Sequence, residues 1–427
     1  RPYCEVLRQW STLHPEFAFL PRKFKIAVSG AKEDRAATAW HDIGLHLVKN
    51  DAGEVGFRVL VGGGMGRTPI TGTEINAFVP WQQILVYIEA IVRVYNRYGR
   101  RDNMYKARIK ILVKAEGQKF FDQVNAEFQN IIERDADGAA HLIPQAEFDR
   151  VNASFAFPAS VQAHAAAGNG LPADASDADK AQFGKWLERN VAGHKVQGYK
   201  NVQLSVKRVG QAPGDATDAQ MDAIADIADQ FSCGELRVTH DQNVLLPFVR
   251  EEDLFAVWQA AKAASFASPN IGLLSDMIAC PGGDFCALAN ARSIPIANDL
   301  IARYQDLDEL YDIGDIDLHI SGCINSCGHH HSGHIGILGV DKDGSEWYQV
   351  TLGGSDGSNH APTSVAGKVI GPSFAADEVT DVIEAVIDTY RAQRAANEKF
   401  IDTVQRVGLD PFKTAANAVR RTTAKAA

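Results

Sequence analysis

Apolar residues recur at helical spacing over 83–98, where Ile84, Val86, Tyr87, Ala90, Ile91 and Val94 form one stripe, so the segment predicts a packed helix. Residues 118–134 carry the same kind of pattern and predict a second helix. Phe24–Val28 and Val55–Val61 are short β-prone runs, the latter closed by Gly62-Gly63-Gly64, and both predict strands. Over 106–113, Arg108 and Lys110 alternate with Ile109 and Ile111, the period-two signature of a strand. Residues 1–160 are therefore expected to form a first α+β domain.

Between 163 and 180 the pattern gives way to Ala, Gly, Asp and Ser with Pro172, which reads as part of a linker over 161–190. The next stretch, 191–265, predicts a strand over 199–206, a helix over 218–231, strands over 235–239 and 244–249 about the turn His240-Asp241-Gln242-Asn243, and a helix over 251–264. That β-α-β-β-α order suits a ferredoxin-like, split βαβ repeat. A last domain over 266–410 is expected to hold strands at 334–340 and 347–352 and one helix over 376–399, before a tail over 411–427. Within that tail Lys413–Lys425 is Ala/Thr-rich and reads as solvated. The expected fold class is α+β.

A length of 427 residues exceeds a single ordinary core, in keeping with several domains. No window holds about eighteen uninterrupted apolar residues, which argues against a membrane span. The net charge is −10 and no basic block is interleaved with aromatics, which argues against nucleic acid. The chain opens at Arg1-Pro2-Tyr3-Cys4, without an initiator Met or a signal-like apolar segment, and reads as the middle of a longer polypeptide of cytoplasmic character.

The six cysteines are too few for a disulfide scaffold, and their distribution points to metal chemistry instead. Cys4 and Cys233 stand alone and are expected to pack as small apolar residues. Cys280 and Cys286 form C-x5-C, and Cys323 and Cys327 form C-x3-C. Zinc sites favour tighter knuckles, whereas an iron–sulfur cube tolerates wider spacings. A cluster is the favoured reading, ahead of zinc and of inert buried thiols. Gly282, Gly283, Gly322 and Gly328 flank the cysteines and are expected to let the backbone approach the cluster sulfides.

Cys280-x5-Cys286 followed by Gly322-Cys323-Ile324-Asn325-Ser326-Cys327-Gly328 resembles the sirohaem–[4Fe–4S] signature of the sulfite and nitrite reductase family. Leu20-Pro21-Arg22-Lys23-Phe24-Lys25, Val61-Gly62-Gly63-Gly64 and Arg237-Val238-Thr239-His240-Asp241-Gln242-Asn243 are similar to further family segments, in the same order. The resemblance extends over about 1–400. It implies sirohaem-cluster α/β domains combined with the ferredoxin-like repeat. It also implies that Cys280, Cys286, Cys323 and Cys327 hold the [4Fe–4S] cluster, with Cys327 shared with the sirohaem iron. The many carboxylates of sirohaem need cationic and hydrogen-bonding partners. Arg22, Gly62, Gly63, Gly64, Lys106, Arg108, Arg237, Gln242 and Asn243 are the residues implied for that shell, and tight turns or ordinary surface charge are the plainer alternatives.

Lys23 and Lys25, two apart on the expected strand, face the same way. The resemblance makes them the catalytic pair that binds the substrate anion and delivers protons. Family sulfite reductases tend to keep both lysines and nitrite reductases often carry Asn at the second position, so Lys25 points to sulfite. The spacer Pro281–Phe285 looks more like the nitrite branch. It is given less weight, because the lysine is the residue expected to touch substrate. Assimilatory sulfite reduction is thus expected. The alternatives are sirohaem nitrite reduction, a relative in tetrapyrrole or cobalamin biosynthesis, and a non-catalytic iron–sulfur carrier. The absence of P-loop, flavin and nicotinamide fingerprints implies that a flavoprotein or a ferredoxin supplies electrons, and Arg97, Arg100, Arg101 and Lys106 are the expected docking patch. The family's N-terminal half, with its own ferredoxin-like repeat and pocket arginines, has no counterpart among these residues. His329-His330-His331-Ser332-Gly333-His334 has no counterpart either and reads as a solvent-lining loop.

Overall fold

The computed structural model describes residues 1–134, 142–165, 168–358 and 363–421. The chain divides into two compact units, Arg1–Phe157 with Ser355–Ala366, and Pro158–Gly354 with Gly367–Ala427. The ferredoxin-like repeat, expected as a domain of its own, shares the second unit with the cysteine segment.

In the first unit β1 (Ile26–Ser29), β2 (Ile43–Lys49), β3 (Val55–Val61) and β4 (Thr73–Pro80) lie side by side in chain order. β1 runs parallel to β2, and the remaining neighbours are antiparallel. Ile43, Phe57, Val59 and Val61 are fully buried and share one core with the helix Ile84–Tyr98, whose apolar stripe includes Val86, Ile88 and Ile91 at 0% exposure. Phe120 and Val124 of the helix Gln118–Arg134 complete that core.

Two expectations fail here. Residues 106–113 are not a strand: a 3₁₀ turn, Met104–Lys106, leads into the helix Ile109–Glu116. Ile109, Lys110 and Val113 are its buried residues, which is helical spacing, and an alternation of four residues was too short to fix the period. Gly117, at φ 54°, ends the helix in a conformation that side chains resist. Lys23 and Lys25 also do not stand on a strand, because β1 begins only at Ile26.

In the second unit half of the expected linker is the helix Asp177–Asn190. The Ser176 hydroxyl accepts the Asp179 N–H at 3.1 Å as its N-cap, and Phe183 and Trp186 are buried. It packs on a four-stranded antiparallel sheet of β5 (Val191–Gly193), β6 (Tyr199–Leu204), β7 (Arg237–Val238) and β8 (Val244–Arg250), ordered β5-β6-β8-β7. The helices Asp218–Phe231 and Leu254–Ala263 complete the ferredoxin-like repeat around Val202, Leu246 and Trp258.

The cysteine segment builds a second sheet from β9 (Ile278–Ala279), β10 (Leu318–Ser321), β11 (Ile335–Lys342), β12 (Ser345–Leu352), β13 (Lys368–Val369) and β14 (Phe374–Ala375). Its order is β13-β12-β11-β10-β9, with β14 also paired to β12. β9, β10 and β11 are parallel, and the helices Ile294–Arg303 and Leu307–Ile313 carry the crossover from β9 to β10. The single helix expected to reach Lys399 stops at Gln393, and Asn397 beyond it sits at φ 60°. Helices Phe400–Val407 and Asp410–Ala418 follow. Phe412 and Ala416, four apart, are fully buried, so this stretch is core and not a solvated tail. Residues 422–427 of the expected tail lie outside the described residues. Among the described residues no helix is long and apolar enough to cross a membrane.

Candidate metal centre and anion-binding segment

Both cysteine pairs are delivered by the carboxyl ends of neighbouring parallel strands, where open α/β sheets place ligands. Cys280 directly follows β9, and Gly322-Cys323 directly follows β10. The Cys280 N–H donates to Ile320 O at 3.0 Å, and the Gly322 N–H donates to Cys280 Sγ at 3.1 Å. Cys323 is buried, Cys280 and Cys286 are half-buried and Cys327 is exposed. Burial pushes the Cys323 thiol up, and the negative charges of Cys327, Cys280 and Cys286 push it the same way.

Four cysteines on two loops in close backbone contact, with the Cys280 sulfur already receiving the Gly322 N–H, fit the wide spacing of a cube.

The flanking glycines also have a packing use beside the one expected. A Cβ at Gly322 would meet Gly282 Cα at 2.7 Å, and one at Gly328 would meet Ile320 O at 2.0 Å. These glycines let the two cysteine loops and β10 close on one another. Ser326 and His329 take left-handed conformations, φ 57° and 56°, on either side of Cys327. The histidine run is not solvent-lining throughout: His330 and His334 are each 1% exposed. Ser326 Oγ and His330 Nδ1 are 3.1 Å apart, while His330 Nε2 is buried without a partner. Burial, then the charges of His331, His319 and His329, push the His330 pKa down to about 2.

In the first unit the segment entering β1 carries the cations. Arg22 and Lys23 are exposed and border a groove of about 590 Å³ whose lining mixes Leu7, Phe17, Leu20 and Phe24 with Arg8 and Ser11. Lys25 does not border that groove. Its backbone N–H donates to Asp42 Oδ2 at 2.9 Å, its carbonyl accepts the Ile43 N–H, and its charge helps depress the pKa of His41 after burial has done so. Arg108 gives Nε and Nη2 to Asp42 Oδ1, at 3.1 and 2.8 Å.

Asp42 and Lys110 escaped the sequence reading. Lys110 Nζ donates to the carbonyls of Gly64, Met65 and Thr68 at 3.3, 2.8 and 2.6 Å, and burial pushes its pKa down to about 8. Gly62 and Gly64 already give their N–H groups to Asp42 O and Ile70 O. A Cβ at Gly63 would strike Ala39 O at 2.2 Å, so the glycine run has a packing role of its own.

The segment Arg237–Asn243 is engaged within the second unit. Arg237 pairs with Glu235 at 2.6 Å. Asn243 is 1% exposed: it accepts the Val206 N–H at 3.0 Å and the Lys207 ammonium at 3.2 Å, and it donates to Asp276 at 2.8 Å. Asn243 is thus engaged on both sides of its amide within the unit. Gln242 places both ends of its amide on the backbone of Ala279, each at 2.9 Å. Within the expected docking patch Arg97 pairs with Glu127 at 2.7 Å and Arg100 pairs with Asp102, while Arg101 keeps its charge and donates to Phe19 O at 2.7 Å. Lys106 is exposed.

Paired thiols at adjacent strand ends, carried in one unit with a ferredoxin-like repeat, define an iron–sulfur protein. The chain belongs to the nitrite and sulphite reductase family. The family's 4Fe-4S domain matches residues 1–132 and 277–422, well over half the chain, and its ferredoxin-like half domain matches residues 203–264. Members of this family carry sirohaem with a [4Fe–4S] cluster.

Among similar proteins, the assimilatory ferredoxin-dependent nitrite reductase of Haloferax mediterranei is 28% identical over 404 residues, covering 92% of this chain and 62% of the relative. Sulfite reductase [ferredoxin] 2 of Mycolicibacterium paratuberculosis is 27% identical over 425 residues, covering 96% and 66%. The chain thus spans less than two thirds of the length of these relatives. The solved structure of the Mycobacterium tuberculosis NirA protein shares the fold, with TM-score 0.69 at 23% identity, over 96% of this chain and 68% of that one.

Proposed function

We propose that the chain forms part of a sulfite reductase that converts sulfite to sulfide, with electrons from a ferredoxin. The four thiols at the ends of β9 and β10 carry the reading: Cys280, Cys286, Cys323 and Cys327 would hold the cluster, and Cys327 would also serve the sirohaem. When bound, the two cofactors supply an iron for the substrate and a path for its electrons. Lys23 and Lys25 neutralise the anion and donate protons as S–O bonds break. Six electrons and six protons are consumed per sulfite, so cations able to release protons are a chemical need. Asp42 fixes the backbone from which the Lys25 side chain departs and holds Arg108 in place. A plain electron carrier would have no use for such cations.

Lys25 favours sulfite over nitrite. The spacer Pro281–Phe285 favours the second reading, a nitrite reductase making ammonia. Ferredoxin is preferred to a flavoprotein as donor because both relatives described above carry ferredoxin in their names. The test is anaerobic turnover of the full-length protein containing these residues, driven by a reduced viologen dye. A kcat/KM for sulfite well above that for nitrite is expected. The reverse order would transfer the assignment to nitrite.

A further inference from the structure

Gln242 stands in the turn between β7 and β8 at φ 57°, a conformation a glutamine rarely adopts without a reason. Its side-chain amide forms a two-way pair with one residue of the other sheet: Nε2 donates to Ala279 O, and Ala279 N–H donates to Oε1, both at 2.9 Å. That is the pattern a neighbouring strand would offer. β9 is only Ile278–Ala279 and is the edge of its sheet, with β10 on one side, so Gln242 closes its other side. Gly214 leaves room for the arrangement, because a Cβ there would meet Gln242 Cβ at 3.0 Å.

The neighbouring residue repeats the tie. Asn243 Nδ2 and Lys207 Nζ hold Asp276 Oδ1 at 2.8 and 2.9 Å, and Asp276 Oδ2 accepts the Gly272 N–H at 3.0 Å. The chain is thus gripped at Asp276 and at Ala279, immediately before Cys280.

From this geometry we infer that Gln242 is a positioning residue for the cluster ligand Cys280, and not a partner of sirohaem. The inference rests on the cluster reading of the four cysteines. Gln242 holds β9 against β10 and so sets where Cys280 Sγ stands relative to the Gly322 N–H and to the thiols of the Cys323 loop. Partners one shell out from a metal typically change its affinity by about 10–100-fold when removed.

The test compares wild type with Gln242→Leu and Gln242→Glu in the full-length holoprotein. The measurements are iron and acid-labile sulfide per chain, the cluster midpoint potential by EPR-monitored titration, the rate of iron loss to a chelator, and sirohaem absorbance. Leu removes both hydrogen bonds and is expected to speed iron loss about tenfold and to shift the potential. Glu keeps an acceptor for the Ala279 N–H but cannot donate when ionised, and is expected to fall between. Sirohaem per folded chain should not change.

Wild-type potential and iron-loss rate in both variants, with only a lower melting temperature, would overturn the inference. Loss of sirohaem with the cluster retained would also overturn it and return Gln242 to the haem. A wild-type protein without iron and sulfide would instead sink the cluster reading, and with it this inference, before any variant is compared. Should the Leu protein not fold, the Glu protein decides.

Discussion

Asp42 and Arg108 meet at 2.8 Å with the carboxylate 1% and the guanidinium 21% exposed, and the second oxygen of the same carboxylate receives the Lys25 N–H at 2.9 Å. One buried charge thus ties the cationic segment before β1 to the start of the helix Ile109–Glu116. Burial raises the Asp42 pKa while Arg108 opposes the rise. Asp42→Ala leaves a partly buried guanidinium unpaired and is expected to cost about 3 kcal/mol in chemical denaturation. Asp42→Leu with Arg108→Met removes both charges and should lose markedly less. Equal losses would mean the pair has no such role.

Lys25→Asn tests the substrate preference. It is expected to lower kcat/KM for sulfite about a hundredfold, the scale of one lost transition-state donor, and to leave nitrite turnover less affected. Equal losses on both anions would show that Lys25 does not discriminate.

The cysteines separate by role. Cys286→Ser and Cys323→Ser should each abolish the cluster, measured as iron and sulfide per chain. Cys4→Ser and Cys233→Ser should leave both unchanged, because neither stands on the two loops. Retention of a full cluster in Cys323→Ser would remove Cys323 from the ligand set.

His330 gives a pH dependence with a fixed sign. Its folded pKa lies near 2 against the ordinary 6.5. Below pH 6.5 the unfolded chain takes up a proton that the folded chain refuses, so stability is lost as pH falls from 6.5 towards 2. The slope from this residue is on the order of 1 kcal/mol per pH unit. Urea midpoints at pH 7, 6 and 5 should fall less steeply in His330→Asn than in wild type. Parallel slopes would show that His330 does not contribute.

Phe412→Ala should cost about 3 kcal/mol, because the ring is fully buried in the core of the cysteine-bearing sheet. A loss under about 0.5 kcal/mol, the scale of a surface substitution, would restore this stretch to a solvated tail.

The parts of the fold that were legible are those with long periodic patterns. The helices Ile84–Tyr98 and Gln118–Arg134, and the β-α-β-β-α repeat, repeat their period often enough to leave no second choice. Residues 106–113 offered two alternations only, and burial of Ile109 and Val113 chose the helix. The helix Asp177–Asn190 was hidden by a composition of small and acidic residues, although Ser176 and Asp179 mark its cap and Phe183 and Trp186 its buried face. The cysteine pairing could be read from spacing, and the structure brings both pairs to neighbouring strand ends. Gln242 could not be read in the same way. A polar turn residue looks alike whether it faces a cofactor or a backbone, and Ala279, its partner, lies 37 positions away.

The shortness of β9 has one more consequence. A strand of two residues cannot hold its place by its own ladder, so an iron–sulfur cluster spanning the ends of β9 and β10 would act as a cross-link closing the crossover between them. Loss of the cluster would leave β9 held by Gln242 and by the grip on Asp276 alone, and any fraying there would bare the edge of β10, a row of amides open to pairing with another chain. Damage to the electron path and exposure of that edge would thus arrive together.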